Sequence, residues 1–363
     1  MKKTMKCACC LCMLLGITLI LASCKSKEEK IAEAIELLKQ EKVAEAITLY
    51  QEIEDVQDTV LLNRLGDIYA KGKGIEQDSA MALSLFEKSA NLGSPYAQHF
   101  MGLAYGFGEG LKKDDKEASK WYKKAADQGY RSSLYRLGIN YKEGWGVEKD
   151  PNKSIELLKQ AVDKGHIRAM VELGYSYKLG EGILVNKEEA VKYFQMAADK
   201  GDEFGFLELG KAYQNGDGVK KDPEKSFENY LKSAEKGNSS AQFSVAYDYQ
   251  YGIGVKKDEA KAAEWYLKAV NQGNVGSMIN LGLMYEYGKG VGKNMAKAFE
   301  MYKMAAEAND KVAQYNVGNC YYLGKGVEKN YKEAAKWYQK SAEQGYDNAR
   351  IAIENMSYNG VLY

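Results

Sequence analysis

A chain of 363 residues is longer than one compact core usually covers, so it must divide into domains or repeat. Its 45% apolar and 28% charged residues are ordinary for a soluble protein, and 51 basic against 50 acidic side chains leave a formal charge of +1, which gives no support to bulk electrostatic binding of nucleic acid or another polyanion. Tyrosine, at 28 copies, is the compositional anomaly.

Residues 1–24 read as a targeting segment. Lys2, Lys3 and Lys6 form a basic start, Cys7 to Ile20 are almost wholly apolar, and Leu21-Ala22-Ser23-Cys24 closes the run. That tetrapeptide resembles the bacterial lipobox. The resemblance implies a lipoprotein signal peptide over 1–23, attachment of diacylglycerol and fatty acid such as palmitate at Cys24, and a protein held to a bacterial membrane, most naturally the outer one, by that lipid. An uncleaved anchor is the competing reading, but the apolar run is short for a spanning helix and ends in small residues before a cysteine. Residues 24–30 follow as a polar tether, in which Lys27-Glu28-Glu29 is similar to the acidic export signals of some surface lipoproteins.

From Ile31 the spacing of Ile31, Ala34, Ile35 and Leu38, then of Val43, Ala46, Ile47, Tyr50 and Ile53, predicts two amphipathic helices that cap the chain over 31–58. Residues 59–348 then repeat one spelling eight times at a spacing of 36. Val317-Gly318 has counterparts at Leu65-Gly66, Met101-Gly102, Leu137-Gly138, Leu173-Gly174, Leu209-Gly210 and Leu281-Gly282, with Val245-Ala246 the one substitution. A period in this range means a solenoid. In each unit a small residue, the apolar-Gly pair and a tyrosine (Tyr69, Tyr105, Tyr141, Tyr177, Tyr213, Tyr249, Tyr285 and Tyr321) fall on one face of a first helix, which a Gly-x-Gly step ends. An Asp or Asn then opens a second helix, at Asp78, Asp114, Asp150, Asn186, Asp222, Asp258, Asn294 and Asn330. Pro151 and Pro223 suit its first position, and Glu117, Glu189 and Glu333 stand where a capping box needs them. Residues 349–363 begin a ninth unit and stop, as a closing helix.

The spelling LGxxYxxGxGVxxDxxKAxxWYxKAAxxG resembles the Sel1-like repeat family, a relative of the tetratricopeptide repeat with a longer loop. The resemblance covers residues 60 to 348. It implies an all-α fold, an α/α superhelical solenoid whose first helices line a concave face, and it names no ligand.

Motifs that could carry chemistry have simpler readings. Gly-x-Gly follows a helix rather than a strand and recurs as a turn, so it is no nucleotide loop. In Gly288–Lys293, GKGVGK, Tyr287 and Asn294 replace the residues a phosphate loop requires. Ser233-Ala-Glu-Lys236 matches the Ser-x-x-Lys of penicillin-recognising enzymes, yet Ser233 occupies the packing position of Ala125 and Ala161, and no partner motif accompanies it. His99 and His166 are the only histidines and lie in different places in their units, so no metal site is expected, nor any cofactor. Once the signal cysteines leave, Cys320 is the one thiol beyond Cys24, and its equivalents Ala104, Ser176 and Ala212 make it a packing residue with no disulfide to form.

What remains is a surface. By the tetratricopeptide relation, concave side chains lie three before the key glycine, one after it, and four to five after it. Those positions hold Tyr135, Tyr175, Phe243, Tyr247, Tyr251, Tyr287, Tyr315 and Tyr322, with Leu207, Ile279 and Leu283. Rigid aromatics in a groove are typical binding anchors. The expectation is a non-enzymatic, monomeric, lipid-anchored scaffold of the cell envelope that binds a protein or peptide partner. A peptidoglycan or glycan binder using the same tyrosines, and a cell-wall or β-lactamase-like enzyme, are the alternatives.

Overall fold

The computed structural model describes residues 25–360, so Cys24 and the signal segment lie outside the described residues. The chain divides into two units, Met1–His166 and Ile167–Tyr363. The first holds α1 (Lys27–Lys39), α2 (Val43–Gln51), α3 (Thr59–Lys71), α4 (Ser79–Asn91), α5 (Pro95–Phe107), α6 (Asp115–Asp127), α7 (Arg131–Glu143) and α8 (Pro151–Asp163). The second holds α9 (Ile167–Leu179), α10 (Lys187–Asp199), α11 (Glu203–Asn215), α12 (Pro223–Glu235), α13 (Ser239–Tyr251), α14 (Glu259–Val270), α15 (Val275–Tyr287), α16 (Met295–Glu307), α17 (Lys311–Leu323), α18 (Tyr331–Glu343) and α19 (Asp347–Tyr358). Among the described residues there is no strand, and no helix is long and apolar enough to cross a membrane. Within each unit each helix packs on the next in sequence, the arrangement of an α/α solenoid, except that α3 is met by α1 rather than by α2.

The tether is shorter than its polar sequence suggests, because α1 already starts at Lys27. Ser26 caps it by accepting from the Glu29 amide at 3.1 Å while the Glu29 carboxylate accepts from the Ser26 amide at 2.8 Å. Every predicted Asp or Asn cap does accept from the first turn of its second helix, for instance Asp150 from Lys153 at 3.0 Å and Asn330 from Glu333 at 3.0 Å, each interaction stabilising its helix by roughly 1 kcal/mol. The reciprocal half is different: the Glu117, Glu189 and Glu333 carboxylates turn outward to Lys120, Lys192 and Lys336, one turn along the solvent face. A Lys three residues on competes for the carboxylate, and it wins where the cap amide is already used. In all eight repeats that amide donates to the carbonyl of the first-helix tyrosine, as Asp258 does to Tyr249 at 2.8 Å, which closes the long loop.

The key glycine has a specific reason. A Cβ at Gly210 would lie 2.4 Å from the Tyr230 ring, and at Gly318 2.5 Å from Tyr338, so the second helix drives its aromatic into the notch left on the first. Phe86, Tyr122, Phe194 and Tyr302 fill the equivalent notches. These second-helix rings are the buried aromatics, whereas the first-helix tyrosines expected in the core are only half-buried. Tyr249 meets Phe227 of the preceding repeat edge-on, with ring centroids 5.1 Å apart. The second turn glycine joins repeats: a Cβ at Gly254 would lie 2.0 Å from the Pro223 carbonyl oxygen, and one at Gly218 2.2 Å from that of Lys187, each at the start of the preceding repeat's second helix.

Candidate functional site

The first helices are amphipathic in an unusual sense, because two of their faces carry rings. On α13 the sequence AQFSVAYDYQY puts Ala241, Val245 and Ala246 inside, fully buried, while Phe243, Tyr247 and Tyr251 recur four apart on another face. Their rings form a continuous row, with centroids 6.3 Å apart between Phe243 and Tyr247 and 4.5 Å between Tyr247 and Tyr251. Exposure rises along it from half-buried Phe243, which rests on Tyr266 at 5.8 Å, to 37% at Tyr247 and 58% at Tyr251. One and two repeats on, Tyr287 at 63% and Leu323 at 52% occupy the position of Tyr251. Three successive repeats thus expose a large apolar side chain at the same helical position.

The polar residues beside the row are already engaged. The Tyr266 hydroxyl donates to Gln250 Oε1 at 2.8 Å and accepts from Asn280 Nδ2 at 3.0 Å, and the Tyr302 hydroxyl donates to Glu286 at 2.8 Å. Lys325 pairs with Glu286 at 3.3 Å, and Lys289 lies 5.9 Å from the Tyr287 ring. The result is an apolar row with satisfied polar flanks, suited to desolvation by a partner rather than to bond chemistry.

Other expected groove residues are occupied by the protein itself. Tyr135 stacks on His166 with centroids 4.5 Å apart. Tyr175 meets Phe194 edge-on at 5.5 Å, and Glu208 beside it adds to burial in raising its pKa. Tyr315 packs between Tyr338 and Tyr346, and Tyr322 against Tyr331 at 5.3 Å. Leu207 is 5% exposed and belongs to the core, because the neighbouring repeat covers its position; Ile279 and Leu283 are half-buried against theirs. Exposed Leu323, which was not among the expected groove residues, stands five residues after Gly318, the same register as Tyr287 after Gly282.

The remaining candidates are accounted for by packing. Ser233 is fully buried and its hydroxyl donates to the Glu203 carbonyl at 2.7 Å. Burial pushes the Cys320 thiol up to about 12, so it stays protonated and inert. His99 lies 2.9 Å from the Ser133 hydroxyl, and burial is the main cause that lowers both His99 and His166 to about 4, holding them neutral. Among the described residues no group of three or more His, Cys, Asp or Glu could hold a metal ion. Two carboxylates stand out. Glu208 is buried but bound by Lys178 at 2.9 Å and Lys211 at 2.6 Å, whereas buried Asp248 has no hydrogen-bond partner at either oxygen.

The Sel1 repeat matches this chain at residues 61–94, 95–130, 131–166, 167–202, 207–238, 239–274, 275–310 and 311–346. Among solved structures, the chain is similar to a protective antigen present in uropathogenic Escherichia coli strains that displays an SLR fold, with 31% identity over 93% of this chain and 80% of that one and a TM-score of 0.66. It is similar also to a Sel1 repeat protein from Oxalobacter formigenes, with 27% identity over 92% of this chain and 95% of that one and a TM-score of 0.65. None of the curated proteins matches it. Sel1 repeat proteins usually mediate protein–protein interaction, and such scaffolds are generally not enzymes. With the Gly-x-Gly turn and the Asp or Asn cap recurring in all of the matched repeats, and the glycine notch in all but the one that carries Ala246, the chain belongs to the Sel1 repeat family.

Proposed function

We propose that this protein is a lipid-anchored scaffold of the bacterial cell envelope that holds a protein partner against the first-helix face of residues 243–323. The observation that carries the reading is the exposed row Tyr247, Tyr251, Tyr287 and Leu323, flanked by polar groups that already have partners. Large aromatics immobilised by their own stacking lose little side-chain freedom on binding, which makes them efficient anchors. The Escherichia coli structure is described as a protective antigen, and antibodies meet proteins that are accessible at a surface; that is in keeping with an envelope location.

Photocrosslinking from position 251 in cells, followed by identification of the adduct, tests the reading. Tyr251→Ala and Tyr287→Ala are each expected to weaken capture of the adduct partner by about 1–3 kcal/mol, some 5- to 150-fold, with unfolding midpoints unchanged. Undiminished capture by the double variant would place the partner elsewhere, and saturable binding of muropeptides that the same variant loses would favour the glycan reading. The anchor is tested separately by Cys24→Ser, which is expected to abolish fatty-acid labelling and release the protein from the membrane fraction. Labelling that persists in this variant rules the anchor out.

A further inference from the structure

In three consecutive repeats the buried second-helix tyrosine donates its hydroxyl to a first-helix side chain: Tyr230 to Gln214, Tyr266 to Gln250 and Tyr302 to Glu286, each at 2.8 Å. Tyr122 is the same residue of the second repeat, 3% exposed, but the position 16 residues before it is Gly106. A Cβ there would lie 3.6 Å from the Tyr122 hydroxyl oxygen, so the missing side chain is the acceptor that Tyr230, Tyr266 and Tyr302 use. Its absence leaves a cavity of about 310 Å³ at the end of the first helix, with Tyr122, Phe107, Arg136, Asn140 and Trp145 in its wall.

The cavity wall combines apolar rings with a cationic side chain. Phe107 and Trp145 are 59% and 53% exposed, large rings of the cavity wall held at the surface. The Arg136 guanidinium lies 5.4 Å from the Phe107 ring and, among the described residues, makes no ion pair. The imidazoles that feel its charge, His99 and His166, are neutral, so they neither offset nor oppose it. The lining carboxylate, Asp115, is 3.5 Å from Lys113, which also lines the cavity, so that pair is self-balanced and the excess charge is that of Arg136. The rim is built rather than loose: Asn140 Nδ2 donates to the Ser119 hydroxyl at 2.8 Å, and that hydroxyl donates to the Trp145 carbonyl at 2.9 Å.

We propose that this cavity is a binding site for a carboxylate carried on an apolar body. The apolar part enters between Phe107 and Trp145, and the carboxylate accepts from the Arg136 guanidinium and the Tyr122 hydroxyl, replacing the side-chain acceptor that Gly106 omits. Guanidinium and carboxylate match in planar fork geometry, and the volume is at the lower end for small-ligand pockets, enough for one ring and one acid group. The site does not depend on the aromatic row of residues 243–323.

Calorimetric titration of the full chain with 3-phenylpropanoate and with 3-phenylpropanamide tests the assignment. The acid is expected to bind at least tenfold more tightly than the amide. Arg136→Gln is expected to remove that preference, and Gly106→Gln, which supplies the missing acceptor and fills the space, to abolish binding of both with helical circular dichroism unchanged. A tripeptide ending in phenylalanine, free or amidated at its terminus, separates the sources: tighter binding of the free peptide than of the simple acid identifies a chain end, and weaker binding a free small acid. Equal affinity for acid and amide, no binding of the acid at millimolar concentration, or undiminished binding by Gly106→Gln would each overturn the proposal.

Discussion

Replacing Gly254 with alanine is expected to destabilise the protein by about 3–5 kcal/mol, whereas the same change at Gly237 should cost about 1–2 kcal/mol. Both glycines have positive φ, 64° and 98°, so an alanine at either loses the freedom of the left-handed region. They differ in what the methyl group would meet. Nothing lies within 4 Å of a Cβ at Gly237, while at Gly254 it would lie 2.0 Å from the backbone oxygen of Pro223 and 2.4 Å from its carbonyl carbon. Backbone cannot rotate away as a side chain can, so the Gly-x-Gly turn must lift off the preceding repeat. In a solenoid that loss falls on a nearest-neighbour interface term. Urea unfolding of Gly254→Ala should therefore show a smaller m-value or a second transition as well as a lower midpoint. Equal costs at the two positions would refute the view that the second turn glycine is required for repeat docking.

Asp248→Asn is expected to stabilise the protein by about 2–4 kcal/mol above pH 7 and to have little effect below pH 4. Asp248 is 1% exposed, neither carboxylate oxygen has a hydrogen-bond partner, and burial pushes its pKa up to about 7. The groups around it that respond to its charge, Tyr230 and Tyr266, are phenols raised well above neutrality, so they stay uncharged and give it no counter-ion. With the folded pKa above the unfolded value of 3.8, the folded state holds the proton more tightly. Stability is therefore greatest below the unfolded pKa and is lost as pH rises through about 7, where the folded group must ionise in an apolar site. Neutral His99 and His166 have depressed pKa values and act in the opposite direction, losing stability as pH falls from 6.5 towards 4, but they are present in both proteins and cancel in the difference. The measurement is denaturant unfolding of both proteins at half-unit pH steps. A gap that does not change with pH would mean that Asp248 is solvated or paired in solution.

The contrast between Asp248 and Glu208 shows how repeat context decides the fate of an acid. Glu208 is equally buried, but Lys178 and Lys211 both reach it, and these two lysines hold its pKa below the usual carboxylate value despite burial. Asp248 occupies the position held by Cys320, Met284 and Ala212 in other repeats, where packing selects a small or apolar side chain and no lysine is within reach.

The sequence by itself determined the repeat unit, its register and its helix ends. Caps such as Asp150 and Asn330, and the glycines that follow each first helix, act through φ and through hydrogen bonds spanning a few residues, so their effect is written locally. The tertiary structure alone decided which aromatics are buried. Tyr135, Tyr175, Tyr315 and Tyr322 hold positions expected to face the groove, as exposed Tyr247 does, yet each rests on a ring from elsewhere in the fold: His166 in the turn before α9, and Phe194, Tyr338 and Tyr331 in second helices. The notch glycines were legible as a pattern, but their cause, a ring from the second helix 2.4 Å from where the Gly210 Cβ would be, was not. Gly106 likewise reads as one more glycine until Tyr122 is seen to point at the space it leaves. Period and capping depend on neighbours along the chain, whereas burial and cavity depend on what an adjacent helix brings, as Gln214 does for Tyr230 16 residues on.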